Sequence, residues 1–428
     1  MKEVFEKILA DAKVQKAKEL MIKDDPKTWE QLQELVLIPA FSRFEEKRAD
    51  RFQEMVEAEG FKTERDEVNN VYTTIKGSDP KAPTVFITAH LDTVFPMDTK
   101  LEIVEREPGK FYCPGIGDDT SNLAQVLTLL RAIRDSGLKF KGDLIIGGNV
   151  GEEGLGDLYG MKAFFGKKKN LDKVDAYITM DGGPGSIGYL GTGSYRYKVT
   201  FKGPGGHSQG NFGMPNPIHA MGRAIAKFAD MKPPTEPQTT FSVGVVNGGT
   251  SVNSIAIECS MLVDMRSNGK AELDAEDAQF HKILKEAVEE ENGRWVRDRA
   301  LYSDVFTRPG QAPWCDRKVE LVVEKVGDRP VARQNADDPI VVAGLEAYKA
   351  AGVDVTLSGP GSGDFNVPIS MGVPSVGVGG GGFGGGAHSK DEWYSPVDVG
   401  KGLFKILVML CGYLGVDGVS DPLIPKKG

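Results

Sequence analysis

The chain has 428 residues, 40% of them hydrophobic and 26% charged, with a formal net charge of −9. That length exceeds one ordinary hydrophobic core, so two domains are expected, and the composition is that of a soluble globular enzyme. The acidic balance argues against a nucleic-acid surface, which needs clustered Lys and Arg, and no apolar run approaches the ~20 residues of a membrane span.

The N-terminus, Lys2 to Met21, alternates charged and apolar residues as one amphipathic helix and has no signal-peptide core. Further helices are expected from Pro26 to Leu37 and from Glu45 to Gly60, the last closed by Gly60. The run Thr84 to Ala89 reads as a buried strand, and its period of two sends His90 and Asp92 to the same side. An imidazole with a carboxylate two residues on suits a metal site, the carboxylate orienting the ring. A buried histidine beside a turn-forming Asp explains the motif equally well. Asp118 and Asp119 then precede an amphipathic helix marked by Leu123, Val126, Leu127, Leu130 and Ile133. N-capping is the ordinary account of that pair. Glu152 and Glu153 follow the apolar run Leu144 to Val150, and Asp181 closes the strand-like 176–180. Strands and helices alternating this far predict a mainly parallel mixed sheet flanked by helices.

A different pattern begins near Gly193. A strand from Tyr195 to Lys202 leads to a helix capped at Asn216, then strands Thr239 to Val246 and Ser254 to Arg266. A helix carrying Phe280, Ile283, Leu284, Ala287 and Val288 precedes a last strand, Lys318 to Val326. That order, βαββαβ, is ferredoxin-like. It places an inserted α+β domain at 192–329 between the two parts, 1–191 and 330–428, of an α/β domain. Beyond Arg329 come a helix from Pro339 to Ala351, strands near Val355 and Val376, and glycines crowded between Gly377 and Gly386, ahead of His388. The glycines formally fit a nucleotide-binding spacing, but no helix or phosphate-gripping Lys follows. They read instead as backbone passing close to substrate and turning to present His388. The loop around Asp364 is either a substrate-side loop or a structural turn.

Five histidines serve the whole chain, and carboxylates recur where strands end. Two divalent zinc ions in a poorly solvated cleft need roughly four compensating negative charges. A bridging carboxylate, two terminal carboxylates and a hydroxide supply them, with two neutral imidazoles. His90, Asp118, Glu153, Asp181 and His388 match that inventory. Glu152 is left over beside a ligand, where a general base belongs.

In this order, the motifs around His90, Asp118, Glu152, Asp181, His207 and His388 resemble those of the co-catalytic di-zinc metallopeptidases. That family includes peptidase T, glutamate carboxypeptidase, carnosine dipeptidase and aminoacylase. The resemblance runs from about Leu35 to Leu410. It implies that His90, Asp118 and Asp181 hold one zinc and that Asp118, Glu153 and His388 hold the other, with Co²⁺ or Mn²⁺ as substitutes. It also implies that Asp92 supports His90, that Glu152 is the catalytic base and that Asp118, not Asp119, bridges. One departure is plain: Thr120 and Asn122 stand where many relatives carry Lys and Gly.

Within the insertion, His207 lies in a glycine-rich loop, and the resemblance has its imidazole reach a partner's active site across a homodimer. The insertion would then serve as a lid or dimerisation domain. Asn253 and Arg266 match substrate-touching positions, Arg being suited to grip a carboxylate. A salt bridge from Arg266 to Asp264 on the same strand face is the competing account. His219 and His281 read as solvated helix residues, and Lys167 to Lys169 as a solvated loop. Cys113, Cys259, Cys315 and Cys411 are scattered, as free thiols of a reducing, cytoplasmic compartment would be. The leading expectation is an exopeptidase for di- or tripeptides. Alternatives are an N-acyl amino-acid amidohydrolase and a non-catalytic peptide-binding relative.

Overall fold

The computed structural model describes residues 1–306 and 317–427. Cys315 lies outside them; Cys113, Cys259 and Cys411 are buried and free. The chain forms two compact units, one of Met1–Gly191 with Ala332–Gly428, the other of Thr192–Val331.

The first unit is built on an eight-stranded mixed sheet. At its centre four parallel strands lie side by side: Asp143–Asn149, Thr84–His90, Ala176–Thr179 and Ser375–Val378. Thr84–His90 is buried at every residue, as a strand covered on both faces must be. Antiparallel partners flank this parallel core, Val71–Ile75 on one side and Ser186–Gly188 on the other. The helix Thr120–Ser136 packs on the sheet through Leu123, Val126, Leu127 and Leu130, all in the main core. All four central strands end on the same side, where open α/β sheets bind their ligands.

The second unit is a four-stranded antiparallel sheet in the order Thr239–Gly248, Glu258–Ser267, Gly193–Lys202, Glu320–Arg329. Helices Pro217–Ala229 and Lys270–Phe306 supply Phe228, Phe280 and Leu284 to its core. Asn216 caps the first of these by accepting the Ile218 N–H at 2.9 Å.

Some elements differ from the sequence expectation. The N-terminal helix is broken into Lys2–Ala10 and Ala12–Lys23, because Asp11 is extended and its carboxylate caps Lys13 and Val14. The expected strand Ser254 to Arg266 is also two. Ser254–Ile255 pairs with Gly206–His207, and only Glu258–Ser267 joins the main sheet. The helix Val399–Leu414, nearly all of it buried, has no polar stripe to give it a period. Among the described residues, no helix is long and apolar enough to cross a membrane.

Candidate metal centre

His90 is the last residue of its strand and is 1% exposed. Its Nδ1 lies 3.0 Å from the Asp92 carbonyl oxygen and 3.5 Å from Asp92 Oδ1, so the other ring nitrogen faces outward. That Nε2 is 3.0 Å from Asp118 Oδ1. The second oxygen of the same carboxylate, Asp118 Oδ2, is 3.2 Å from His388 Nε2, which in turn lies 2.9 Å from Glu153 Oε1. One carboxylate thus faces both imidazoles, each through a different oxygen. His90, Asp118 and Asp181 place one donor atom each within 4.8 Å of one another, and so do Asp118, Glu153 and His388.

The neighbouring Asp119 is turned inward. Its carboxylate accepts the His90 N–H at 2.9 Å and the Asn122 side-chain N–H at 2.7 Å. Adjacent residues ahead of one helix therefore face different ways: Asp118 faces the two imidazoles, and Asp119 holds the His90 backbone.

Asp92 organises the opposite wall. Fully buried, it accepts the backbone N–H groups of Glu152 and Glu153, both at 2.9 Å, and the Ser42 hydroxyl at 2.5 Å. Burial works against its charge, but His90, Ser42 and these amides hold its carboxyl below the usual range. Burial raises Glu153 to about 7, with the hydrogen bond to His388 opposing. His388 itself rises to about 10, because the Asp118 and Glu153 carboxylates face its ring.

Asp364 is fully buried, with Oδ2 accepting the Asn149 side-chain N–H at 2.6 Å. Burial pushes its carboxyl well above the usual range, with the Glu152 charge adding to the effect. The Asp364 side chain therefore has no exposed surface, while residues 359–361 of the same loop are exposed. In the second unit, Ser208 N–H donates to the Asn253 carbonyl at 2.9 Å, tying that residue to the His207 loop. Arg266 Nε donates to Asp264 at 2.7 Å, so the expected ion pair is present; Arg196 shares the same carboxylate at 2.8 Å.

Several supporting residues escaped the sequence reading. Glu392, 1% exposed, accepts the N–H groups of Gly115, Gly117 and Asp118 and so fixes the turn that carries the Asp118 carboxylate. Its place four residues after His388 was the available signal. Arg48 is buried against carbonyls of Ile38 and Leu91 and reaches Thr120 Oγ1 at 3.4 Å. A guanidinium from a distant helix thus adjoins Thr120. The glycines are also explained more closely. A Cβ at Gly381 would lie 1.9 Å from the Val399 carbonyl oxygen, and one at Gly382 2.1 Å from the Tyr394 hydroxyl. The run packs against the protein itself, while Gly380 to Gly382 also border a cavity of about 260 Å³ lined by Asp118, Asp119 and Asp181.

Imidazoles and carboxylates gathered beside the ends of the parallel strands form a candidate metal centre. The chain matches Peptidase family M20/M25/M40 over residues 86–411, and it belongs to that family. It is 23% identical over 313 residues to the uncharacterized protein YqjE of Bacillus subtilis (strain 168), covering 72% of this chain and 75% of that one. A tripeptidase from Staphylococcus aureus subsp. aureus Mu50 shares the fold with a TM-score of 0.69 and 20% identity, over 90% of this chain and 97% of that chain. The aminopeptidase PepT from Bacillus cereus ATCC 10987 does so with a TM-score of 0.67 and 18% identity, at the same coverage.

Proposed function

We propose that this metallopeptidase is a two-metal exopeptidase hydrolysing an amide bond of di- or tripeptides. The observation that carries the reading is the single carboxylate of Asp118 facing both His90 and His388. The donor set fits zinc, with Co²⁺ or Mn²⁺ as substitutes, since mixed imidazole and carboxylate sites accept all three. His90, Asp118 and Asp181 would hold one ion, and Asp118, Glu153 and His388 the other. When bound, the ions supply Lewis acidity and make water a nucleophile at neutral pH.

Glu152, 4% exposed, takes the proton from the attacking water and delivers it to the leaving amine. Asp92 holds Glu152 and Glu153 by their backbone amides and orients His90, so ligands and base form one rigid group. His207 polarises the scissile carbonyl. Its Nδ1 accepts the N–H groups of Gln209 and Gly210, both at 3.2 Å, which keeps the ring proton on Nε2 as the donor. The chain works as a homodimer joined through the inserted unit, with His207 serving the partner's site. Thr239–Gly248, an edge strand with half-exposed Val245 and Val246, supports this, since such edges invite pairing. The free buried thiols suit a cytoplasmic location.

Mixing inactive Glu152→Gln chains with inactive His207→Ala chains should restore part of the activity, because one site of each mixed dimer keeps both groups. No recovery despite confirmed subunit exchange would confine His207 to its own subunit or remove it from catalysis.

Arg266 and Asn253 hold the substrate's end. Arg196 and Arg266 share Asp264, so this patch keeps net positive charge suited to a free carboxylate. Amidating the C-terminus of a good substrate should lower kcat/KM by at least ~10-fold, or ~1.4 kcal/mol of transition-state binding. An unchanged rate would give Arg266 a structural role and favour an enzyme that reads the amino end. A panel of dipeptides, tripeptides and N-acyl amino acids tests the activity itself. Preference for the N-acyl compounds would make the chain an amidohydrolase, and no turnover of any would leave a peptide-binding relative.

A further inference from the structure

The backbone that brings His388 to the centre arrives from the strand Ser375–Val378 through Gly379 to Gly382. Two amide side chains of the helix Thr120–Ser136 grip it. Asn122 Oδ1 accepts the Gly380 N–H at 3.0 Å, and Gln125 Oε1 accepts the Gly381 N–H at 2.6 Å. Gln125 Nε2 also donates to the Gly381 carbonyl at 3.2 Å, a carbonyl that the Tyr394 hydroxyl reaches at 2.8 Å. Lys405 Nζ donates to the Gly380 carbonyl at 2.5 Å. A Cβ at Gly380 would stand 2.3 Å from Gln125 Oε1 and 2.6 Å from Asn122 Oδ1, so the bare backbone and the two amides are matched. Both amides are buried, and Asn122 links onward to Asp119.

The two imidazoles differ in how they are held. His90 ends a fully buried strand. The His388 side chain is 57% exposed and sits on a residue with a φ of +65°, so its place depends on the backbone that carries it. We propose that Asn122 and Gln125 are positioning residues that set His388 against Asp118 and Glu153, and that Gln125, which does not touch Asp119, governs retention of the second metal ion but not the first. The proposal rests on the two-metal reading above.

Gln125→Met is the sharpest variant, because it removes the grip at nearly constant volume without touching Asp119. Chelator-stripped chains are titrated with Zn²⁺ by calorimetry, with melting temperature as a check on folding. Wild type should take up two ions. Gln125→Met should bind the first unchanged and the second ~10–100-fold more weakly, the usual effect of losing a group that orients a ligand. If Gln125→Met folds poorly, Gln125→Leu carries the same test, since it too removes both hydrogen bonds to Gly381 and leaves the Asn122–Asp119 contact in place. Unchanged binding of both ions, or equal weakening of both, would overturn the proposal while leaving the two-metal reading in place. Fewer than two ions on wild type would overturn both.

Discussion

Glu152→Gln should bind metal as the unaltered chain does and lose ~10²-fold to 10⁴-fold in kcat, the usual worth of a positioned acid–base group. The substitution preserves shape, and the backbone amide that anchors residue 152 to Asp92 is untouched. Metal content measured beside steady-state kinetics separates the two effects. Near wild-type turnover would remove Glu152 from the proton path, and lost metal would make it a ligand.

Asp118→Ala should be more damaging, because it removes the group that faces both imidazoles. Both ions should bind more weakly, and kcat/KM should fall on the order of 10³-fold or more as Lewis acidity and base catalysis fail together. Asp119→Asn is the informative contrast. Asp119 supports His90 from behind, so its loss should cost ~10–100-fold in metal affinity. The reverse order of severity would make Asp119 the shared ligand.

The parts of the site legible in the sequence are those that a strand delivers. His90, Glu153 and Asp181 follow apolar runs whose ends are marked by polar residues and glycine, and one sheet brings all those ends together. Asp118 and Asp119 look alike in sequence. Only the fold shows one carboxylate facing the imidazoles and its neighbour bonded inward. Ser42, in a turn, and Arg48, on the helix Glu46–Ala58, act on the site from far away in sequence, through contacts that no local pattern encodes. The split at Ala256–Ile257 arises because Ser254–Ile255 serves the His207 loop rather than the main sheet, a long-range pairing invisible to periodicity. Asp364 shows the converse case, since a Gly- and Ser-rich loop suggests exposure while its Asp is buried against Asn149.

The central claim is that Asp118 joins two metal ions into one hydrolytic centre. Its most direct test is to strip the chain with a chelator and restore Zn²⁺ stepwise, following bound metal per chain and dipeptide hydrolysis in the same samples. The account predicts two ions per chain, with hydrolysis absent from the stripped protein and rising to its full rate as the second ion is taken up. Full hydrolysis in the stripped protein, or saturation at a single ion with full rate, would contradict it.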